Sequence, residues 1–288
     1  MTGPRGGELS DPGGLRDTLR RHGVRAATSL GQRFLVDRSV LDGIVAAAEL
    51  RPADDVLEVG PGPGVLTREL ARRARSVTAI EVDARMVRVL QDTLTEHPTV
   101  RVVRADALAI DLFAQGAPPT RIVANLPYQI TSPLLMRFLG DARRPPLIVV
   151  LVQEEVALRM VADEHGVKER GFLSIFVQSF ATARLVRRVP PGAFRPPPKV
   201  RSAVVALRTH ARPLFEPLAQ EPFLRLVSDA FRHRRKQLRS ALGHEAGVAR
   251  ERADAALASC GIDPRRRPEE LTLPEWVALA QALGVARA

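Results

Sequence analysis

Val56-Leu-Glu58-Val-Gly60-Pro-Gly62-Pro-Gly64 carries the architecture of this chain. Val56–Val59 is a short apolar run with the character of a buried strand, and the segment after the glycines, Val65–Arg73, reads as a helix. A strand that ends in a glycine-rich turn and leads into a helix opens a doubly wound α/β sheet. Such sheets bind ligands outside the carboxyl ends of their strands, where glycines let the backbone approach a ligand closely. A dinucleotide fold uses Gly-x-Gly-x-x-Gly. Here the third glycine, Gly64, comes one residue early and Val65 holds the position that pattern needs. The spacing disfavours a dinucleotide and fits the methionine end of S-adenosylmethionine; an ordinary tight strand–helix turn is the alternative.

Outward from this turn the rhythm repeats. Val77–Ile80, Val100–Arg104, Arg121–Ala124 and Leu147–Val152 read as further strands, with a helix at Asp83–Thr95. Val40–Leu50 reads as a helix ahead of the first strand, and Leu15–Gly23 as a short helix ending at its glycine. Alternating strands and helices predict an α/β, Rossmann-like fold. Beyond Glu154 a helix to about Ala162 is expected, then strands at Leu173–Phe180 and Ala203–Leu207 around a Pro-rich loop, Pro190–Pro198. Pro213 and Pro217 mark a linker, and from Pro222 onward only helical periodicity remains. The expected organisation is a disordered tail over 1–14, the α/β domain over 15–210 and a small helical domain over 219–288, without internal repeats.

The chain has 288 residues, 45% of them hydrophobic, enough for one large core and a smaller one. Its net charge is +11 and its pI about 11.2. That balance is open between a polyanionic partner, nucleic acid above all, and a solvated basic surface. Only Lys168, Lys199 and Lys236 among 43 basic residues are lysines. Arginine's planar fork suits phosphate, although a GC-rich genome gives the same bias. Cys260 is the only cysteine, so an intrachain disulfide and a cysteine-rich zinc or iron–sulfur site are excluded, and a cytosolic compartment is expected. Cys260 itself reads as a small core residue. Met1–Gly14 lacks the apolar run of a signal peptide or membrane span.

Carboxylates stand at the ends of the next two strands. Glu81 can accept from both hydroxyls of a ribose, and Asp83 is the neighbouring candidate unless it caps the following helix. Asp106 can accept from an adenine amine. Asn125-Leu126-Pro127-Tyr128 follows the fourth strand and is the most informative tetrapeptide. The lone pair of an adenine N6 amine is delocalised into the ring, and acceptors around that nitrogen localise and orient it. The Asn125 side-chain carbonyl is one acceptor, and the Leu126 backbone carbonyl, held rigid by Pro127, is a second. Tyr128, the only tyrosine, can stack on a flat base. The alternative is a strand-end turn with Tyr128 as packing. A sulfonium methyl is already activated, so neither a strong base nor a metal is needed. Cytosine C5 methylation needs a cysteine nucleophile, and Cys260 lies far from any strand end.

Gly31-Gln32-Arg33-Phe34-Leu35, the Glu58–Gly64 turn, Ala79–Asp83, Asn125–Tyr128 and Phe194-Arg-Pro-Pro-Pro-Lys199-Val200-Arg-Ser202 occur in this order, and together they resemble the ribosomal RNA adenine dimethyltransferases. The resemblance covers about residues 15–285. It implies an S-adenosylmethionine-dependent enzyme that dimethylates the N6 amines of two adjacent adenosines near the 3′ end of small-subunit RNA, acting on the immature small ribosomal subunit. It implies that Gln32 and Leu35 help close the cofactor site and that Gly60, Glu81, Asp106 and Asn125 contact the cofactor, with Gly62 in the same turn. Phe194 would pack on the flipped target base opposite Tyr128, or else anchor its loop in the core. The chain departs from the family at Arg33, where Asn is usual and which borders the cofactor site or reaches RNA backbone, and at Arg170, where tyrosine is frequent.

Arg232-His-Arg-Arg235-Lys236-Gln-Leu238-Arg239 is expected to continue one helix, with Phe231, Leu238 and Leu242 inward and Arg232, Arg235, Lys236 and Arg239 forming an outward stripe. That stripe suits RNA phosphates or is a solvated face; Arg265–Arg267 is a second basic run. No membrane partner is expected, and a monomer is the default. Competing functions are a large-subunit adenine methyltransferase of the macrolide-resistance type, a non-catalytic ribosome assembly factor and a dehydrogenase. The Pro-rich loop and helical tail speak against the first, the intact tetrapeptide against the second and the glycine spacing against the third.

Overall fold

The computed structural model describes residues 9–25, 31–163, 168–233, 236–244 and 247–287. The chain divides into two compact units, Met1–Ala157 with Arg184–Thr209, and Leu158–Ala183 with His210–Ala288.

The first unit is built on a seven-stranded sheet. In chain order it contains α1 (Pro12–Arg21), β1 (Phe34–Leu35), α2 (Arg38–Ala47), β2 (Asp55–Val59), α3 (Val65–Ala71), β3 (Ser76–Glu81), α4 (Ala84–Thr93), β4 (Val100–Arg104), β5 (Arg121–Asn125), α5 (Thr131–Gly140) and β6 (Leu147–Gln153). After α6 (Glu154–Val161) and α7 (Phe172–Phe180) come β7 (Ala181–Val189), β8 (Phe194–Arg195) and β9 (Ser202–Thr209). The sheet order is β4-β3-β2-β5-β6-β9-β7. The first five strands read from the sequence, β2 to β6, run parallel to one another, and β9 runs antiparallel to β6. Residues 147–152 of β6 are buried at every position, as expected of a strand covered on both faces, where a continuous apolar run replaces alternation. From β2 the chain winds outward through β3 and β4, then returns to the other side of β2 to add β5 and β6. This reversal opens a crevice between the carboxyl ends of β2 and β5. A separate two-stranded ladder pairs Phe34 with Arg195 and Leu35 with Phe194.

Caps set the helix starts. The Asp37 side chain accepts from Val40 N–H to open α2, and Asp83 accepts from Arg85 N–H to open α4. Asp11 accepts from the Gly13 and Gly14 N–H groups, with Pro12 at the first helical position. So α1 begins at Pro12, and residues 12–14 belong to a helix rather than to the expected disordered tail. The rest of that expectation, residues 1–8, lies outside the described residues.

Leu173–Phe180 is a helix, not the expected strand. The run is almost wholly apolar, so neither period shows in the sequence. Tertiary packing decides: Phe172, Phe176 and Phe180 stand four apart on one face with ring centroids 6.0 and 5.0 Å apart, and Ser174 Oγ accepts from Gly171 N–H at the helix start. The ladder continues within the second unit from Phe180 to Phe215 (5.5 Å) and on to Phe223 (5.0 Å). It explains why residues 158–183 group with the helical unit, although the sequence placed them in the α/β domain. Arg170 is buried here and donates to the Leu271 carbonyl.

The remaining helices are α8 (Gln220–Arg232), α9 (Leu238–His244), α10 (Arg250–Ser259) and α11 (Leu273–Ala282). The basic stretch does not continue one helix: α8 stops at Arg232 and α9 starts at Leu238. Like charges four apart, as at Arg232 and Lys236, disfavour a continuous helix, and Lys236 N–H instead turns back to the His233 carbonyl (2.7 Å). Leu238 and Leu242 are buried as expected. Cys260 is half-buried, not a core residue. Among the described residues no helix is long and apolar enough to cross a membrane.

Phe180 has no exposed surface and touches rings on both sides. Phe180→Ala is expected to cost about 3–5 kcal/mol, read from the shift in the denaturant midpoint; a loss below about 1 kcal/mol would show that the aromatic ladder does not organise this unit.

Candidate functional site

The crevice between β2 and β5 holds a cavity lined by five segments. The end of β2 and the turn after it contribute Glu58, Gly60 and Gly62. The end of β3 contributes Glu81 and Val82. The segment after β4 gives Asp106, and the segment after β5 gives Asn125 through Tyr128. Gln32, Arg33, Phe34 and Leu35 are the fifth segment and close the remaining side. Every residue expected to border a cofactor lies here: Gln32, Arg33, Leu35, Gly60, Gly62, Glu81, Asp106 and Asn125.

Glycine is required by geometry at two of these positions. Gly60 and Gly62 have φ of 72° and 55°, left-handed values that side chains rarely adopt. A Cβ on Gly60 would stand 3.3 Å from Pro127 Cδ, and one on Gly62 would stand 3.0 Å from the Phe34 ring. The turn is thus pressed between the tetrapeptide and the Phe34 ring, and any side chain there would fill the cradle.

Glu81 ties the end of β3 to this turn. Its carboxylate accepts from Gly62 N–H at 3.2 Å and from Asp83 N–H at 2.8 Å. Burial pushes its pKa above the usual range against the pull of these two donors. Asp83 has a different task. It caps α4, pairs with Arg85 (2.7 Å) and accepts from Gln32 Nε2 (3.0 Å), and chiefly the Arg85 contact holds its pKa down to about 2. It does not line the cavity, so of the two acids Glu81 is the one that faces a ligand. Asp106 is exposed, and its Oδ1 accepts from Leu108 N–H at 2.8 Å.

Glu58 and Val82 are lining residues that sequence reading passed over. Val82 is 55% exposed, unusual for a large apolar side chain, and offers a greasy edge beside Glu81. Glu58 is 1% exposed, and its Oε2 has no hydrogen-bond partner. Burial pushes its pKa up to about 8; the Thr67 hydroxyl pulls it down and the Glu81 carboxylate pushes it further up. The signal for Glu58 was present as an acid inside a strand that is otherwise fully apolar at its centre. A buried acid with one oxygen unpartnered is expensive.

In the tetrapeptide, Asn125 Nδ2 donates to the Arg33 carbonyl at 3.1 Å, which fixes the amide and leaves Oδ1 as an acceptor. Leu126 N–H is tied to the Leu151 carbonyl of β6 (3.1 Å). Pro127 has φ −58°, and its own carbonyl is taken by Ile130 N–H and Thr131 Oγ1. Tyr128 lies at the cavity with its hydroxyl 2.6 Å from Ser202 Oγ. Burial raises its pKa, while Ser202 and the nearby Arg33 charge oppose the rise. Phe194 is elsewhere. It has no exposed surface, pairs with Leu35 in the two-stranded ladder and packs in the main core with Val40, Ile44 and Val204. Opposite Tyr128 it would need exposed ring surface; it anchors its loop instead.

The described basic residues of the expected stripe do not share one helix. Arg232 is exposed at the end of α8, 3.7 Å from Asp229; Lys236 is exposed in the connection; Arg239, in α9, pairs with Asp254 at 2.6 Å. Arg235 lies outside the described residues.

With this geometry in place, comparison with known proteins is informative. The family described as "Ribosomal RNA adenine dimethylase" matches residues 23–283. "Ribosomal RNA small subunit methyltransferase A" of Pelotomaculum thermopropionicum is 40% identical over 95% of this chain and 97% of its own length. The protein of that name from Geobacter metallireducens is 41% identical over 92% and 98%. Among solved structures, a dimethyladenosine transferase from Plasmodium falciparum superposes with a TM-score of 0.75 at 24% identity, over 88% of this chain and all of that one, which bears on the fold. The 23S rRNA methyltransferase ErmE superposes at 0.65 with 31% identity, over 87% and 99%.

The Glu58 carboxyl yields a pH test. Burial holds its pKa in the folded protein at about 8, above the ordinary value of 4.5. Between those values the folded protein keeps a proton that the unfolded chain has lost, so stability falls as pH rises across that window. Glu58→Gln removes this dependence. Relative to wild type, the variant is expected to gain stability from pH 5 to 8, by up to about 1.4 kcal/mol per pH unit. Thermal unfolding of both proteins without cofactor checks this; parallel pH profiles would place Glu58 in a solvated site.

Proposed function

The chain belongs to the ribosomal RNA adenine dimethylase family and is an rRNA adenine dimethyltransferase, and from that premise we propose that it uses S-adenosylmethionine to dimethylate the N6 amines of two adjacent adenosines near the 3′ end of small-subunit ribosomal RNA. The observation that carries this reading is the junction of two loops in one cavity: the glycine turn with the unpartnered Glu58 carboxyl, and Asn125 with its amide pinned to the Arg33 carbonyl.

The residues fit the cofactor. Gly60 and Gly62 make a cradle with no room for a side chain, Glu58 is a buried acid without a partner, and Glu81 and Asp106 supply carboxylates along the same wall. When bound, S-adenosylmethionine supplies a sulfonium-activated methyl group, and no metal is called for. Glu81 would hold the ribose and Asp106 the adenine amine, with Gln32, Arg33 and Leu35 closing over them. At the other end Asn125 Oδ1 and the Leu126 carbonyl accept from the N6 amine of the target base and aim its lone pair at the methyl carbon. Each transfer would require the amine to give up one proton, released to solvent, while Asn125 Oδ1 and the Leu126 carbonyl keep the nitrogen in position. Tyr128, the aromatic side chain of the tetrapeptide, stacks on the base. Phe194 supports it from the core through Leu35 rather than from the opposite face.

Arg232, Lys236 and Arg239 of the helical region are proposed to meet RNA phosphates, with Arg239 first released from Asp254. The region 219–288 would then act in substrate binding. The resemblance to a 23S rRNA methyltransferase at 31% identity keeps large-subunit RNA as the second reading. Small-subunit relatives at 40 and 41% over 92–95% of the chain favour the first.

Asn125→Ala is expected to reduce single-turnover methyl transfer by about 2–3 kcal/mol or more in barrier, the worth of a well-placed acceptor, with RNA affinity retained. Glu81→Ala is expected to weaken cofactor binding by about 1.5–3 kcal/mol for each charge-assisted hydrogen bond lost, measured calorimetrically. RNA binding lost with Asn125, or cofactor affinity unchanged without Glu81, would contradict these roles.

A further inference from the structure

A second concavity lies on the same unit and shares Phe34 with the cavity just described. It is a groove of about 770 Å³ between α1 and the β1–β8 ladder. Its floor is apolar: Leu15, Val24 and Phe34 belong to one buried cluster, with Leu19 partly buried against it. Its rim carries Arg16, Arg20, Arg25 and Arg195, all exposed, and among the described residues no carboxylate lines it. Arg20 has Asp17 at 3.6 Å, but both are exposed, and such pairs contribute little. Arg195 donates Nη1 to the Gly192 and Phe194 carbonyls, which holds its guanidinium at the edge of the loop.

Two facts connect this groove to the chemistry. Phe34 lines both concavities. Arg33, at the cavity, and Arg195, at the groove, flank Phe34 through sequence and ladder pairing respectively. Arginines therefore stand at both concavities that Phe34 lines.

An apolar floor that accepts base faces, bordered by cations that accept phosphates, is the chemistry of a single-stranded nucleic-acid site. We propose that this groove holds the RNA strand immediately flanking the target adenosine, with a base against Leu19 and Phe34 and its phosphates on Arg16, Arg20 and Arg25. The inference rests on the reading of the chain as an RNA adenine methyltransferase, and it adds a subsite to that reading. Extrusion of a base requires the neighbouring backbone to be gripped while stacking is lost. A groove one side chain away from the cavity meets that requirement.

The test is a triple variant, Arg16→Gln, Arg20→Gln and Arg25→Gln, in the full chain. Wild type and variant are compared for cofactor affinity, affinity for unmethylated small-subunit RNA across a salt series, and methyl transfer at saturating RNA. The proposal predicts unchanged cofactor binding and an unchanged saturated rate. It predicts RNA affinity lowered about tenfold or more, with the slope of log affinity against log salt reduced by about 2, from about 0.7 per single-strand phosphate. Equal affinity and slope in wild type and variant would overturn it. Equal affinity with altered thermal unfolding would also overturn it, assigning the arginines to the chain's own packing. Absence of transfer to any RNA by the wild type would instead strike the underlying methyltransferase reading, so the two failures are distinguishable.

Discussion

The site depends on the close approach of the Gly60–Gly64 turn to Pro127 and Phe34. With 3.3 Å between a would-be Cβ on Gly60 and Pro127, and 3.0 Å between one on Gly62 and the Phe34 ring, the two loops that bracket the chemistry are held at contact distance. The topology makes this contact available. Because β5 returns beside β2, the loop that follows each strand opens onto one crevice. The hydrogen bonds then lock it: Gly62 N–H to Glu81, Asn125 Nδ2 to the Arg33 carbonyl, Leu126 N–H to β6. Preorganisation of this kind lets acceptors act on a poor nucleophile without rearranging first.

Charge is partitioned within the first unit. The chain as a whole is strongly basic, +11, yet its cavity is walled by Glu58, Glu81 and Asp106. A cationic cofactor and a polyanionic substrate ask for opposite fields, and the structure supplies both. Three carboxylates face the crevice, two of them buried so that their interaction with a bound cation is little screened; Arg33 borders it, while Arg16, Arg20, Arg25 and Arg195 line the groove outside it. The Glu58 carboxyl shows the cost of this arrangement, since burial beside Glu81 raises its pKa.

Much of this was legible in the sequence because the relevant signals are local. The strand–glycine–helix turn, the acids at successive strand ends and the Asn125–Tyr128 tetrapeptide each occupy a few contiguous residues, and all the expected cofactor-site residues line one cavity. What was not legible depended on packing between distant segments. Leu173–Phe180 has no periodicity to read, and its helix is set by rings contributed from Phe215 and beyond. Phe194 stands in a motif rich in exposed residues, and its pairing with Leu35 and its place in the main core bury it. The basic stretch at 232–239 has the spacing of a helix, but like charge and the turn at His233 divide it. Glu58 was hidden for the opposite reason: an acid in an apolar strand looks like an exception, and its meaning appears only when its oxygen is seen without a partner.

The most direct measurement is methyl transfer from labelled S-adenosylmethionine to unmethylated small ribosomal subunits, with large subunits in parallel and nucleoside analysis of the product. The account predicts N6,N6-dimethyladenosine in the small-subunit RNA alone. Label in large-subunit RNA, or cofactor binding without transfer to either subunit, would contradict it.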